Sequence, residues 1–157
     1  MIVEKITDQN RDRINNFIKS HWYTTEMIIR GKVIDMTTVD GIFVLDDETI
    51  IGLITYMIRN ETLEILSLDS LREKQGLGTM LIKTVVQEAE KSGCKRIVVI
   101  TTNDNINAIR FYQKRGFDMV HLYHNALDIS RKLKPEIPLI GENSIPLQHE
   151  IEFEILI

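Results

Sequence analysis

The most informative segment of the chain is Glu73-Lys74-Gln75-Gly76-Leu77-Gly78-Thr79. It lies between a predicted strand and the start of a predicted helix. The first backbone N–H groups of a helix have no partner within the helix, and the aligned peptide dipoles give that end a partial positive charge. Gly76 and Gly78 lack a Cβ atom where the backbone must curl and where an anion would approach. The segment therefore indicates a pyrophosphate-binding loop, although a tight turn without a ligand would use the same glycines.

Two other phosphate-binding motifs do not fit these residues. A P-loop requires a lysine after its last glycine, but Thr79 follows Gly78. The dinucleotide-binding fingerprint requires a third glycine three residues after the second, and Leu81 occupies that position. Neither a P-loop protein nor a doubly wound dinucleotide-binding domain is therefore predicted.

The first forty residues carry a weaker pattern. Residues 2–6 alternate and predict a first strand, after which Asp8 is a candidate N-cap for a helix. The side chains at helical spacing in that helix are Ile14, Phe17, Ile18 and His21. Residues 22–40 predict loops with one short helix, because the Arg30-Gly31 pair interrupts them.

The middle of the chain changes from strands to alternating helix and strand. Apolar segments at 42–45, 50–58 and 63–68 are separated by short polar turns and predict an antiparallel meander. From Leu77 the apolar residues follow helical spacing until Ser92-Gly93, which predicts a helix. Residues 97–100 are then apolar at every position, as in a parallel strand buried on both faces. Strand, helix and strand together predict a right-handed crossover.

The last third predicts a second helix, two strands and a loop. The helix is centred on residues 108–112 and closes at Arg115-Gly116. Residues 117–129 then predict one long strand, and proline and glycine mark a loop over 135–146. Residues 149–155 alternate and predict a last amphipathic strand with one wet face.

Composition limits the class of protein. The chain has 157 residues with 43% hydrophobic content, which predicts a single domain over residues 1–157. Nineteen lysines and arginines against 23 aspartates and glutamates give a net charge of −4 without a basic stripe, which argues against nucleic acid as a partner. Cys94 is the only cysteine, so no internal disulfide can form. The absence of a long apolar run predicts no membrane span and, with the single cysteine, a cytoplasmic location.

A second motif turns these patterns into a family resemblance. It reads Asn105-Ile106-Asn107-Ala108-Ile109-Arg110-Phe111-Tyr112-Gln113-Lys114-Arg115-Gly116-Phe117. Together with residues 73–79, about thirty residues earlier, it resembles the GNAT superfamily of acyl-CoA-dependent N-acetyltransferases. One position departs from that family, because Glu73 stands where glutamine or arginine is usual. The resemblance implies an α+β fold with a central, mostly antiparallel twisted sheet, a parallel splayed strand pair and flanking helices.

The resemblance also implies a cosubstrate and the residues that bind it. Acetyl-CoA would be the acyl donor, and no metal would be needed. Leu66 and Leu68 would contact the pantetheine arm through their backbone, and Asn105 through its side chain. Arg72, Lys74 and Lys83 are candidates for the phosphates, although such cations are more often simply solvated. The remaining predicted contacts are Gln75, Gly76, Leu77, Gly78, Thr79 and Ala108.

The chemistry implied is direct attack of a neutral amine on the thioester. Tyr112 is the candidate general acid that protonates the departing thiolate, and its alternative role is a packed core tyrosine. Glu64 is the candidate base acting through a water, or else an ordinary strand residue. Cys94 has no evident histidine partner, so a nucleophilic role is disfavoured. Candidates for the lining of the acceptor pocket are His21, His121, Tyr123 and His124.

Three hypotheses remain open from the sequence. The chain is an N-acetyltransferase that acts on a primary amine whose identity the sequence does not reveal. Alternatively it is a non-catalytic acyl-CoA-binding module or sensor with the same fold, which Glu73 slightly favours. In either case the alternating C-terminal strand could form a homodimer.

Overall fold

The computed structural model describes all 157 residues as nine strands, four α-helices and one 3-10 helix. The chain divides into two compact units. The first contains residues 1–27, 35–97 and 157, and the second contains residues 28–34 and 98–156. The elements are β1 Ile2–Lys5, α1 Arg11–Trp22, β2 Glu26–Ile29, β3 Lys32–Asp35, β4 Asp40–Asp46, β5 Thr49–Arg59, β6 Thr62–Ser70, α2 Leu77–Lys91, β7 Arg96–Thr102, α3 Ile106–Lys114, β8 Asp118–Tyr123, α4 Ala126–Leu133, the 3-10 helix Glu142–Ser144 and β9 Glu150–Leu156.

The first unit is built on four antiparallel strands in the order β1-β4-β5-β6. Five consecutive residues of β4 and seven of β5 are buried, so both faces of these strands are covered. Helix α2 packs closely on β5, because a Cβ atom at Gly52 would lie 3.2 Å from Cδ1 of Leu81. Helix α1 buries Ile14 and Ile18. The predicted meander and the predicted helix after the glycine loop are therefore confirmed.

A β-bulge interrupts the pairing of β5 with β6. The register shifts between Thr55 and Tyr56, whose partners are Ser67 and Ile65, so Leu66 is the extra residue. A bulge bends the strand and leaves the extra residue out of the ladder. The backbone of β6 is thus irregular at the residue predicted to contact pantetheine.

In the second unit the strand order is β7-β9-β8, with β8 and β9 antiparallel. Its core is aromatic: the ring of Tyr112 lies 5.5 Å from that of Phe117 and 5.9 Å from that of Phe153. Arg131 fixes the loop after α4 by donating hydrogen bonds to the carbonyls of Ile137, Pro138 and Leu147. This loop needs no regular structure of its own, because one guanidinium satisfies several of its carbonyls.

The start of α1 differs from the prediction. The helix begins at Arg11 with Asn10 as its N-cap residue, so Asp8 is not the cap. The carboxamide of Asn10 accepts a hydrogen bond from the Thr7 N–H and donates one to the Lys5 carbonyl. The side chain therefore closes the turn between β1 and α1 and makes no capping bond to the helix.

The segment 22–40 holds a hairpin and no short helix of its own. Strands β2 and β3 pair with each other as a separate two-stranded sheet. Arg30 and Gly31, predicted as a break, are the two turn residues and have φ values of 50° and 72°. Two consecutive left-handed residues are typical of the tight turn whose twist matches a hairpin.

The prediction of one long strand over 117–129 is wrong. Strand β8 ends at Tyr123, Asn125 adopts a left-handed φ of 58°, and α4 follows. Helical folding buries Ala126, Leu127 and Ser130 together, which a strand could not do.

The prediction of a wet face for the last strand is wrong as well. In β9, Glu150 is only 3% exposed, and its carboxylate accepts a hydrogen bond from the backbone N–H of Arg30 at 3.1 Å.

The fold class agrees with the prediction. Strands that pair mostly antiparallel, together with four α-helices, make up an α+β fold. The splay predicted within the parallel pair stays a prediction. No helix is long and apolar enough to cross a membrane.

Candidate active site

The glycine loop forms an open helix N-terminus in the first unit. Lys74 and Gly76 both have left-handed backbones, with φ values of 60° and 73°, and Gly76 is the N-cap residue of α2. No side chain caps this helix and its first turn carries no acidic residue. A Cβ atom built on Gly76 would meet nothing within 4 Å. The space beside Gly76 is therefore open, at a helix end that no side chain caps.

The charged residues around this loop differ in their availability. The guanidinium of Arg72 is ion-paired with the carboxylate of Asp46, and both side chains are 38% exposed. The side chains of Glu73, Lys74 and Gln75 are exposed. Lys83, in the second turn of α2, is exposed as well. A phosphate would therefore meet Lys74 directly, whereas Arg72 would have to exchange its carboxylate partner.

Strand β6 carries the other predicted residues of this unit. Leu66 is the buried bulge residue, and Leu68 is half-buried opposite Ile54. Glu64 is half-buried opposite Met57. Ser67 and Thr55 share a buried hydrogen bond of 2.5 Å between their hydroxyl oxygens. The strand thus combines an irregular backbone with polar side chains below the surface.

Asp69 is a residue that the sequence analysis missed. Its Oδ1 accepts a hydrogen bond of 3.2 Å from the indole N–H of Trp22. Burial raises the pKa of the Asp69 carboxyl, while the Trp22 hydrogen bond and the nearby His21 act in the opposite direction. The Nδ1 of His21 lies 3.0 Å from the carbonyl of Phe17, its partner in α1. The pairing of Trp22 with Asp69 bridges 47 residues of sequence, so no local pattern announces it.

In the second unit, Asn105 caps α3. Its Oδ1 accepts a hydrogen bond of 3.1 Å from the N–H of Ala108, which ties two predicted ligand contacts to each other. The Oδ1 atom is therefore used by the fold, and the Nδ2 donors are the part of this amide left for a ligand. Asp104, the residue before the cap, was not singled out from the sequence and is 5% exposed. Its carboxylate accepts from the Thr102 hydroxyl at 2.5 Å and the Glu142 N–H at 2.8 Å.

Tyr112 lies on α3 and is 6% exposed. Its ring contacts Phe111, Phe117 and Phe153 at centroid distances of 5.3, 5.5 and 5.9 Å. The packing fixes the ring in one position, as expected both for a core tyrosine and for an acid that must hold its hydroxyl in a defined place.

His121 and His124 of the second unit lie on a groove of about 380 Å³. It is lined by the turn Arg30-Gly31, by the end of β8 and by α4. His121 stacks edge-on against Tyr123 at 4.3 Å, and the Tyr123 hydroxyl donates to Glu152 at 2.9 Å. The lining includes three predicted acceptor-pocket residues, His121, Tyr123 and His124, but His21 belongs to the first unit.

Neither a reactive thiol nor a metal-binding cluster is found. Cys94 is buried, and burial together with the charge of Glu61 raises the pKa of its thiol, which disfavours a nucleophilic thiolate. No group of three or more histidine, cysteine, aspartate or glutamate side chains is arranged to hold a metal ion.

Solved structures share this fold over nearly the whole chain. An IAA acetyltransferase from Bacillus cereus ATCC 14579 matches with a TM-score of 0.71 and 18% identity over 99% of each chain. A GNAT family acetyltransferase from Elizabethkingia anophelis with acetyl-CoA bound matches with a TM-score of 0.70 and 21% identity, over 99% of this chain and 97% of that one. The chain therefore shares the fold of these two proteins.

Sequence comparison identifies the family itself. Residues 9–117 match the Acetyltransferase (GNAT) family, and the chain belongs to it. The chain is also 42% identical over 142 residues to the uncharacterised protein YxbD of Bacillus subtilis (strain 168), covering 90% of this chain and 89% of that protein. The family resemblance noted from the glycine loop and the 105–117 motif is confirmed.

Proposed function

We propose that residues 1–157 act as one acyltransferase domain that transfers an acetyl group from acetyl-CoA to a primary amine by direct attack. The observation that carries this proposal is the uncapped N-terminus of α2 behind a left-handed Gly76, in a chain of the GNAT family. A pyrophosphate is compatible with this end, because no side chain caps the helix, the space beside Gly76 is open and no acidic residue lies in the first turn. The proposed acyl donor is the one that the Elizabethkingia anophelis relative binds.

The pantetheine arm is assigned to backbone groups of β6 and to the amide of Asn105. An extended amide-bearing chain can pair with a strand edge as an added strand would. The bulge at Leu66 supports this assignment, because it takes one residue of β6 out of the ladder with β5. The Nδ2 donors of Asn105 remain available after its Oδ1 has capped α3.

Tyr112 is proposed to protonate the departing thiolate. The amine must first lose a proton, since an alkylammonium has a pKa of roughly 10 and cannot attack a thioester. Glu64 is proposed to take that proton through a water. The neutral amine then adds to the thioester carbonyl and the tetrahedral intermediate breaks its C–S bond. The hydroxyl of Tyr112 gives its proton to the sulfur, and the extra proton left on the nitrogen returns to the Tyr112 oxygen, which leaves a neutral amide and a neutral thiol. A phenol holds its proton at neutral pH, as this role requires.

Amine-dependent release of coenzyme A tests the proposal. Purified protein with acetyl-CoA would be screened against alkylamines, polyamines, amino acids, aminoglycosides and lysine-containing peptides, with the free thiol as the signal. At least one class should give turnover above the acetyl-CoA hydrolysis background. Acetyl-CoA binding without turnover across the whole panel would instead favour the sensor.

The Tyr112 hydroxyl can be tested against a matched buried tyrosine. Tyr112→Phe should lower kcat by about 100-fold or more, as loss of a general acid does, with acetyl-CoA affinity unchanged. Tyr56 is similarly buried, at 4% exposed, and lies on β5 outside the assigned site, so Tyr56→Phe should leave kcat unchanged. Equal effects of the two variants would assign Tyr112 a packing role only.

The sensor remains the second candidate because of Glu73. Its exposed carboxylate lies in the loop before α2, where it opposes a pyrophosphate electrostatically. Glu73→Gln should tighten acetyl-CoA binding in either case, but only in the enzyme should it also raise kcat/KM for an amine.

A homodimer and a cytoplasmic location stay predictions. Strand β9 has neighbours on both edges, in the order β7-β9-β8, so the C-terminal strand has no edge for a second copy, whereas its neighbour β8 is an edge strand. Light scattering over a concentration series would show a doubled mass if that edge pairs.

A further inference from the structure

One carboxylate oxygen of Asp69 is shielded from solvent and has no hydrogen-bond donor. The Oδ2 atom exposes less than 1 Å² and has no partner, whereas Oδ1 accepts from the indole N–H of Trp22 at 3.2 Å. Buried polar atoms in folded proteins are nearly always paired, and an unpaired charged oxygen is costly. The vacant acceptor therefore calls for a reason beyond stability.

The position of Asp69 supplies one. It is the second-last residue of β6 and pairs with Leu53 of β5. Its neighbour Leu68 is one of the two residues whose backbone is assigned to the pantetheine arm. A group that binds Asp69 would therefore lie one residue along the strand from the proposed path of the acyl donor.

We propose that Asp69 recognises the primary ammonium group of a cationic acceptor, with Oδ2 accepting one of its N–H bonds. This inference rests on the proposed function, since it assigns a contact to the amine that is acetylated. No covalent bond is made or broken in this step. Asp69 would hold the acceptor as the ammonium ion, and the ammonium would lose a proton after binding and before it attacks the thioester.

Trp22 is the hydrogen-bond partner of this carboxylate. The indole is half-buried, donates to the other oxygen of the same carboxylate, and belongs to the last residue of α1. The next residue, Tyr23, has a left-handed φ of 61° and is 89% exposed, so the chain leaves the helix there. An ammonium has three N–H donors and can serve both oxygens when the indole moves aside. One neutral donor would thereby be exchanged for a charged one, which makes a stronger hydrogen bond.

Protonation of Asp69 competes with this binding. A protonated carboxyl would attract no cation, and burial favours that form. The Trp22 hydrogen bond and then His21, at the same end of α1, act against the effect of burial on this pKa. Cation binding should therefore strengthen as the pH rises from about 5 to about 8, where an alkylammonium is still charged.

Trp22 is the only tryptophan in the chain, so tryptophan emission comes from the residue that contacts Asp69. The probe is propylammonium chloride at about pH 8, with potassium chloride and 1-propanol as controls for ionic strength and for the apolar chain. Wild type should show a saturable change in emission with propylammonium only. Asp69→Asn keeps an oxygen for the indole but lacks the charge, and should need at least about tenfold more propylammonium for half-saturation. An identical response of the variant, or an equal response to potassium chloride, would overturn the inference.

A second measurement needs no variant. The single indole N–H gives one signal in a ¹H–¹⁵N spectrum of wild type, and propylammonium should shift it as the indole leaves the carboxylate. No shift at saturating probe would contradict the inference even if Asp69→Asn failed to fold.

A parallel titration with acetyl-CoA separates this inference from the proposed function. Acetyl-CoA binding without any response of Trp22 to propylammonium overturns the inference alone. A response of Trp22 without acetyl-CoA binding supports the cation site and overturns the proposed function.

Discussion

Two glycines at opposite ends of α2 provide a matched test of the pyrophosphate loop. Gly76 and Gly93 have nearly the same backbone, with φ values of 73° and 74°, and a Cβ atom at either would meet nothing within 4 Å. Alanine at a left-handed position costs about 1–2 kcal/mol. For a chain of this length each variant should therefore lose roughly 2–8 °C in Tm. Only Gly76 lies at the helix end assigned to the ligand.

Acetyl-CoA affinity should separate the two variants. A methyl group at Gly76 enters the space from which a pyrophosphate reaches the first amides of α2. Loss of one charge-assisted hydrogen bond costs about 1.5–3 kcal/mol, or roughly 10- to 150-fold in Kd. Calorimetric titration should show this loss for Gly76→Ala, with Gly93→Ala binding as wild type does. Equal affinity in both variants would refute the assignment of the pyrophosphate to this loop.

Three further results are expected. Arg72→Gln should weaken acetyl-CoA binding several-fold if the guanidinium meets a phosphate, whereas Asp46→Asn, which frees that guanidinium, should leave the Kd unchanged or lower it; opposite signs would contradict the phosphate role. Burial raises the pKa of Asp69, so the folded state binds a proton there more tightly than the unfolded state does. The contribution of Asp69 to stability is therefore lost as the pH rises from about 4 through its folded-state pKa. The Tm of Asp69→Asn minus that of wild type should increase over this pH range, and a constant difference would argue against the burial effect. Phe153→Ala removes a fully buried ring beside Tyr112 and should cost about 3–5 kcal/mol in denaturant unfolding; a loss below about 1 kcal/mol would show that the second unit does not depend on this aromatic core.

The meander, α2 and α3 could be predicted from sequence because their signals are local. Strands β4 and β5 are apolar runs bounded by polar turns, and Asp47 and Asn60 adopt the left-handed backbone that those turns require. The glycines and asparagine of the two motifs mark helix ends directly. Both ligand-binding segments of the family therefore lie where periodicity and capping chemistry agree.

The errors arose where local signals were weak or ambiguous. In the stretch 117–129, a tight turn at Asn125 separates a strand from a helix without any glycine or proline to announce it. The hairpin of β2 and β3 has strands of only four residues, too short for alternation to be distinguished from chance. Its Arg-Gly turn also lacks the asparagine or aspartate most often found at such a position.

The role of Asp69 could not be predicted for a different reason. An aspartate near the end of a strand usually faces solvent, and its sequence neighbours say nothing about a tryptophan 47 residues earlier. Burial of this carboxylate depends on the packing of α1 against β6, which only the folded chain specifies. Similarly, the carboxylate of Asp104, next to Asn105, accepts a hydrogen bond from the backbone of the distant residue Glu142.

The most direct test of the account is calorimetric titration of wild-type protein with acetyl-CoA and with coenzyme A. It examines the open end of α2 and the family's acyl donor without requiring knowledge of the acceptor. We expect both ligands to bind saturably with roughly micromolar affinity, which is a binding free energy of about −8 kcal/mol for each. Absence of binding to folded protein, with α2 and the sheet intact by circular dichroism, would contradict it.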